Sequence, residues 1–206
     1  MECEINSFES VRDFCTAVDE FRLDKPLDRL ICNAGVYQPS LDYAKWSEDN
    51  HEQTMQINFL SHFLMISKMM PAMMDSTDPR VVMVGSVTGN DNTVSGGGVY
   101  PIADLHNLDG FEKGFTNPIP MADGYGFIGA KAYKDSKLSL MMMANYLHYK
   151  YHKLTGVAFP VCIPIVSPNH ICFVKNVLGS VPTFRPLWNL LPVRRRVHIM
   201  QIWIIT

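Results

Sequence analysis

Asp28-Arg-Leu-Ile-Cys-Asn-Ala-Gly35 is the stretch on which the reading of this chain turns. It is a short apolar run that closes in Asn-Ala-Gly, and it reads as a buried strand entering a turn. Downstream, Arg80-Val-Val-Met-Val-Gly85 is a β-branched run and reads as a second buried strand. Residues 157–163, Val-Ala-Phe-Pro-Val-Cys-Ile, read as a third. Helical patterns lie between them. Residues 50–70 carry one that is nearly apolar from Ile57 to Ile66, which predicts burial on more than one face. Pro71 falls inside that pattern and is expected to kink or end it. Residues 130–152 carry another. Upstream of the first strand, Val11, Phe14, Val18 and Phe21 recur at helical spacing over residues 10–23, and Pro26 is expected to stop that helix. Strand, helix, strand, helix, strand is the pattern of an α/β fold with a parallel sheet and crossover helices. In such sheets a ligand sits outside the carboxyl ends of the strands.

Composition narrows the function classes. The chain has 206 residues, enough for one domain with a sizeable core, and is 47% hydrophobic and 18% charged, which argues against disorder. A net charge of -2 gives no electrostatic reason to expect nucleic acid. Cys3, Cys15, Cys32, Cys162 and Cys172 are scattered without a CxxC and read as free thiols of a reducing compartment. No internal repeat and no targeting segment is visible; the start, Met1-Glu2-Cys3-Glu4, is acidic and lacks an apolar run. The longest uncharged stretch, residues 154–174, contains Gly156, Pro160, Pro164 and Pro168 and is a poor membrane helix.

Two features carry chemistry. Residues 89–129 are rich in Gly, Pro, Asn and Asp with no sustained period; they read as a long loop or insert, and such loops are usually functional. Beyond it, Tyr133-Lys-Asp-Ser-Lys137 puts a phenol and an ammonium four apart, on one side of a helix. A phenol alone titrates near ~10, and an ammonium within about 4–6 Å is expected to lower that by roughly 1–3 units. The pair is thus a candidate proton donor and acceptor. Asn33-Ala34-Gly35, Gly85-Ser86 and the Tyr-Lys helix all fall at the same sheet edge, with Asn58 in the intervening helix.

An Asn-Ala-Gly turn, a strand ending in Ser and YxxxK, in that order, resemble the short-chain dehydrogenase/reductase family. Residues 129–137 (Gly-Ala-Lys-Ala-Tyr-Lys-Asp-Ser-Lys), 84–90 (Val-Gly-Ser-Val-Thr-Gly-Asn), 33–37 (Asn-Ala-Gly-Val-Tyr), 58–64 (Asn-Phe-Leu-Ser-His-Phe-Leu) and 147–152 (Leu-His-Tyr-Lys-Tyr-His) look like the family's light-dependent protochlorophyllide reductases. The long separation of Ser86 and Tyr133 fits that branch. The likeness covers residues 4–159 well and 178–192 loosely. It implies a partial Rossmann-type doubly wound parallel sheet, lacking its first strands and glycine-rich loop, over residues 1–192, and an unmatched tail over 193–206. It also implies NADPH as cofactor, protochlorophyllide as substrate, a chloroplast location, and a possible homo-oligomer with peripheral contact to a plastid membrane.

The same resemblance implies the roles. Tyr133 would donate a proton to the D-ring double bond of the pigment, and NADPH would deliver hydride to the neighbouring carbon after excitation by light. Lys137 would hold the nicotinamide ribose and lower the Tyr133 pKa. Ser86 would hydrogen-bond at the reacting centre, Asn58 would support a water and proton path beside Lys137, and Asn33, Ala34 and Gly35 would line the cofactor.

Departures from the pattern set further expectations. Gly96-Gly97-Gly98 lies inside the insert rather than between strand and helix, so it is not read as a phosphate loop. Without such a loop the chain as it stands is expected not to bind NADPH measurably, and residues 30–32 are expected to leave an unpaired apolar sheet edge prone to aggregation. The family's Pro-Gly-Cys turn is matched here by Pro164-Ile165-Val166. His148 and His152 could share a zinc at i, i+4 but have no evident third ligand, so they read as structural and no metal site is assigned. Met65, Met69, Met70, Met73, Met74 and residues 141–143 read as core and subunit-contact filler. Arg194, Arg195 and Arg196 beside Trp203, Ile204 and Ile205 could touch a membrane surface; an artefactual tail is the preferred reading. The alternatives to a reductase are an inactive fragment or pseudoenzyme that at most binds pigment or a full-length relative, and, more weakly, an NADP-dependent reductase for another apolar substrate.

Overall fold

The structure is a computed structural model, and it describes residues 2–90 and 98–163 together with the backbone of a strand at Trp203–Ile205. The Pro164-Ile165-Val166 turn, Gly96, Gly97, Cys172 and Arg194 to Arg196 lie outside the described residues.

The first helix, α1 (Phe8–Arg22), starts where the Ser7 hydroxyl accepts the Ser10 N–H and the Asp49 carboxylate accepts the Phe8 N–H. It ends four residues short of Pro26. Leu23 and Asp24 both take left-handed φ values, 47° and 65°, and Arg22 reaches round to the Lys25 carbonyl. The stop is therefore a left-handed cap, and Pro26 only follows it.

Strands β1 (Arg29–Cys32) and β2 (Arg80–Val84) run parallel, in register from Arg29 opposite Arg80 to Cys32 opposite Met83. Strand β3 (Val161–Cys162) lies parallel on the far side of β2. It is shorter than the expected 157–163, although pairing extends back to a bridge between Arg80 and Ala158. The reason is Pro160: its carbonyl accepts the Met83 N–H, but it has no N–H to return.

The fourth strand overturns one expectation. Trp203–Ile205 forms β4, antiparallel to β1, with Ile205 opposite Arg29 and Trp203 opposite Ile31, so the sheet order is β3-β2-β1-β4. The edge of β1 that was expected to be bare is paired by backbone of the chain's own tail. An apolar strand of Leu, Ile and Cys recruits whatever compatible backbone can saturate its N–H and C=O groups.

Between β1 and β2 a continuous helical rod is built from α2 (Gln53–Met55), a π-helical turn (Gln56–Leu60) and α3 (Ser61–Met73). Pro71 does not end it at once; the helix carries on to Met73. So near the C-terminus the missing N–H costs one bond in the last turn, where fraying already weakens the ladder. Val11, Cys15 and Val18 of α1 meet Met65, Met69 and Met73 of α3 in the main core, with Leu30 and Cys32 of β1 and Val81 and Met83 of β2. Met74 and Met142, by contrast, are exposed.

The insert has more structure than its composition suggests. It contains a helical turn, α4 (Asp109–Glu112), and a satellite core in which Leu105, Phe115 and Ala122 pack with Met55. Phe111 stands edge-on to Phe115 at 4.8 Å and to Phe59 at 6.0 Å. The long helix α5 (Gly129–Thr155) follows and closes at Gly156, φ 74°, a left-handed position that favours glycine. His148 and His152 stack at 4.4 Å, and their Nδ1 atoms meet the Phe159 N–H and the Val157 carbonyl. That contact ties α5 to the segment entering β3. Among the described residues no helix is long and apolar enough to cross a membrane, and no group of three or more His, Cys, Asp or Glu side chains is arranged to hold a metal ion.

Candidate active site

At the carboxyl ends of β1 and β2 four elements converge. The turn after β1 brings Asn33, Ala34 and Gly35. A side chain at Gly35 would be tight: a Cβ there would stand 3.2 Å from Asn58 Oδ1, closer than usual, and 3.5 Å from Lys137 Nζ, in ordinary contact. Glycine thus leaves a notch walled by an amide and an ammonium. Ala34 and Val36 on either side are buried.

Asn58 is set in place by the π-helical turn. One wide turn shifts the helical register and aims the amide at the chain after β1. Its Oδ1 accepts the Val36 N–H at 2.8 Å, and its Nδ2 donates to the Val36 carbonyl and to Ser136 Oγ, both at 3.0 Å. The amide is fully engaged with the backbone of the turn and with α5, so it pins these elements together.

Tyr133 and Lys137 project from α5 on one side, as the i, i+4 spacing requires. Lys137 is 3% exposed, and its Nζ donates to the Val84 carbonyl at the end of β2, 2.8 Å away. Burial drags its pKa down to about 8, against a smaller upward pull from Cys32. Tyr133 is half-buried, and its phenol bonds the Ser86 hydroxyl, which also lies 2.9 Å from Thr88 Oγ1. Its ring packs against Tyr37 at 4.7 Å.

One expectation about the pair is corrected. Lys137 was to lower the Tyr133 pKa. Burial instead pushes the phenol upward, Tyr37 adds to the push, and the hydrogen bond from Ser86 is what opposes it. Lys137 Nζ sits 5.9 Å from the ring centroid and is turned toward the strand carbonyl. One of its N–H bonds is committed to Val84, and burial dominates the shift of the phenol.

Some residues of this region have no counterpart in the reading of the sequence. Beside Lys137 lies His62, fully buried, with neither ring nitrogen bonded. Burial first, and the nearby Lys137 ammonium second, lower its pKa to about 3, so the ring is neutral. Nothing in the sequence separates such a histidine from any other on an apolar helix. On the other side of α5, Lys131 and Asp135, which flank Tyr133 in sequence, hold Asp104 and Asp123 of the insert. The opposite charges at i, i+4 were legible; their partners in the insert were not.

Three comparisons bear on this arrangement. A sequence profile described as short chain dehydrogenase matches residues 1–103. "Protochlorophyllide reductase A, chloroplastic" of Arabidopsis thaliana is 40% identical over 193 residues, covering 91% of this chain and 46% of the relative. "Protochlorophyllide reductase, chloroplastic" of Chlamydomonas reinhardtii is 38% identical over 167 residues, covering 80% and 41%. "Protochlorophyllide reductase" of Avena sativa is 40% identical over 194 residues, covering 91% and 59%. The chain therefore spans about half the length of these relatives. Among solved structures, the 3-alpha-hydroxysteroid dehydrogenase from Pseudomonas sp. B-0831 complexed with NADH superposes with a TM-score of 0.58 at 20% identity, covering 80% of this chain and 57% of that one. A metagenomic short-chain oxidoreductase in complex with NADP gives 0.51 at 15%, covering 79% and 57%. These two likenesses speak to the fold.

Proposed function

The chain belongs to the short-chain dehydrogenase family, and on that premise we propose that it is the proton-delivering, pigment-binding part of a light-dependent protochlorophyllide reductase that works with NADPH in the plastid. The observation that carries the reading is the meeting of Asn58 and Lys137 at Gly35, with Tyr133 beside Lys137 and bonded to Ser86. Relatives named for that activity share 38% to 41% identity with the chain.

The residues present suit the nicotinamide half of the cofactor. Gly35 keeps the backbone beside Asn58 and Lys137 clear of a side chain, with Asn33 and Ala34 in the same turn. Lys137 has a donor committed to Val84 and others to offer. NADPH supplies the hydride when bound. Tyr133 holds the proton, as a phenol does at neutral pH, and the bond with Ser86 fixes the direction of its hydroxyl. Lys137, poised near 8, can replace that proton. Asn58 clamps the turn and α5 at a fixed distance, which sets the reach of both groups. Tyr133 would give its proton to one carbon of the pigment's D-ring double bond, and bound NADPH, becoming NADP+, would supply the hydride for the neighbouring carbon. Exposed Met142, Tyr146 and Tyr149 on one side of α5 belong in this proposal as the face toward a second copy, with plastid membrane contact left to the tail.

The test is photoreduction of protochlorophyllide with NADPH by the chain joined to the strand and glycine-loop segment of one of its relatives, read from the absorbance change on illumination, with Tyr133→Phe made in the same protein. Turnover should appear in the parent and fall about 10²-fold or more in the variant, which keeps the ring and loses the acidic proton. No turnover in the parent, or near-normal turnover in Tyr133→Phe, would overturn the reading.

A further inference from the structure

The side of α5 turned away from Tyr133 carries a closed charge cluster that the proposed chemistry does not use. Lys131 Nζ donates to Asp135 Oδ2 at 2.6 Å, to Asp123 Oδ2 at 2.9 Å and to the Asp104 carbonyl at 2.6 Å. All three of its N–H bonds are spent. Asp135 Oδ1 accepts the Asp104 N–H at 2.9 Å, and Asp123 Oδ1 accepts the Tyr125 N–H at 3.1 Å. Side-chain exposure is 12% for Lys131, 6% for Asp123 and 0% for Asp135. Asp104 and Asp123 come from the insert; Lys131 and Asp135 come from α5. One turn on, Lys134 donates to the Val99 carbonyl at 2.6 Å, and Leu138 packs on the satellite core of the insert. Lys131, Lys134, Asp135 and Leu138 share a side of the helix set apart from the one bearing Tyr133 and Lys137, because Tyr133 follows Lys131 by roughly 200° of helical rotation. The described part of the insert is thus fastened along the flank of α5.

We propose that Asp123, Lys131 and Asp135 are the latch that fastens the insert to the helix carrying Tyr133 and Lys137, and that this latch takes up a proton as it closes. The charge count gives the reason. Two carboxylates are buried with one ammonium, so closing the latch without a proton buries a net negative charge. Two backbone N–H groups ease the cost without cancelling it. The other charged groups at the cluster do not supply the missing charge. Asp104 turns its carboxylate to the His106 N–H, and the Lys134 ammonium is committed to Val99. Burial accordingly raises the Asp135 pKa to about 6, although the hydrogen bond from Lys131 pulls the other way. Burial lowers the Lys131 pKa, but its bonds to Asp135 and Asp123 outweigh that and raise it overall, so the lysine stays charged throughout.

The sign follows from linkage. The docked state binds the proton more tightly than the open state, in which an exposed aspartate titrates near ~3.9. Docking therefore tightens on acidification. Between pH 8 and pH 5 a docked value of about 6 gives a docking constant about tenfold larger. Acid closes this latch, the reverse of an ordinary surface ion pair.

The measurement is hydrogen-exchange protection of the backbone amides of residues 99–123 in the full chain, corrected for intrinsic exchange, at pH 5 and pH 8. It needs neither pigment nor nucleotide, so its failure is separate from failure of the proposed activity. The parent should gain about tenfold protection on going to pH 5. Asp135→Asn, which removes the surplus charge, should be well protected at both values with the pH dependence gone. Lys131→Met should lose protection at pH 8 and regain part of it at pH 5. Should Asp135→Asn fail to fold, Asp123→Asn tests the same charge count. A flat response in the parent, or an unchanged pH response in the neutralised variant, would overturn the proposal.

Discussion

Gly129, the first residue of α5, touches the turn that leads away from Tyr37, and replacing it with alanine separates the two parts of the candidate site. A Cβ at this position would lie far inside van der Waals contact distance of the Gln38 carbonyl oxygen, 3.0 Å from the Leu41 oxygen and 3.3 Å from the Gln38 carbonyl carbon. These are backbone atoms, so no side chain can swing aside. The Gly129 N–H also donates to the Leu41 carbonyl at 3.0 Å, and the shift that relieves the clash lengthens that bond. Overpacking of this kind costs about 1–3 kcal/mol, and a lost backbone bond about 1 kcal/mol more. Alanine returns less than ~1 kcal/mol through helix propensity, and little of that at the first position. The net is a loss of about 3 kcal/mol, or roughly 6–12 °C in Tm for a chain of this size. Thermal melts of Gly129→Ala and of Gly126→Ala, where a Cβ meets nothing within 4 Å, make the comparison. Gly126→Ala should melt with the parent. If Gly129→Ala does the same, the approach of the 36–41 turn to α5 is not as described, and the placing of Tyr37 on Tyr133 goes with it.

Other outcomes follow from the buried polar groups. Lys137 titrates near 8 in the fold and near ~10.4 unfolded, so its buried charge costs on the order of 3 kcal/mol at neutral pH. Stability should rise as pH climbs from about 8 toward ~10.5, because the unfolded chain then holds the proton more tightly; Lys137→Met should be more stable than the parent at pH 7 and lack that rise, as urea denaturation at several pH values would reveal. His62→Phe removes two buried nitrogens that have no partner and should raise stability by about 1–2 kcal/mol; a lower denaturation midpoint would mean that the imidazole is satisfied in solution.

The strands were legible because each is a short apolar run closed by a turn signal, as in Arg80-Val-Val-Met-Val-Gly85. The long helix of Tyr133 and Lys137 was legible from its period, and the parallel direction of the first three strands followed from the alternation of strand and helix. What escaped reading depended on distance in sequence. No local signal says that Asp123 will meet Lys131, that the insert will fold its own small core around Phe115, or that Trp203–Ile205 will lie against Arg29–Cys32. The π-helical turn at Asn58 escaped for another reason. Its apolar period differs from that of an α-helix by one residue in five, and the packing of Asn58 on Val36 decides the difference. The influence of Lys137 on Tyr133 was misjudged because spacing fixes which side of a helix two groups share, not where a long flexible side chain sends its charge.

The pairing of β4 with β1 has a consequence for assembly. Arg29 and Ile205 are 176 positions apart (205 minus 29), so the ladder that saturates β1 is among the most non-local contacts in the chain. Closing a loop of that size is entropically slow compared with pairing β1 to β2 or winding α5. A nascent or refolding chain therefore passes through a state in which β1, β2 and the helices are in place and one side of β1 is still open. In that interval another extended segment competes for the same backbone groups, and a crowded vessel favours the intermolecular match. Refolding yield should fall with protein concentration more steeply than native stability alone would require, and a chaperone that shields apolar strand edges would act on this one step.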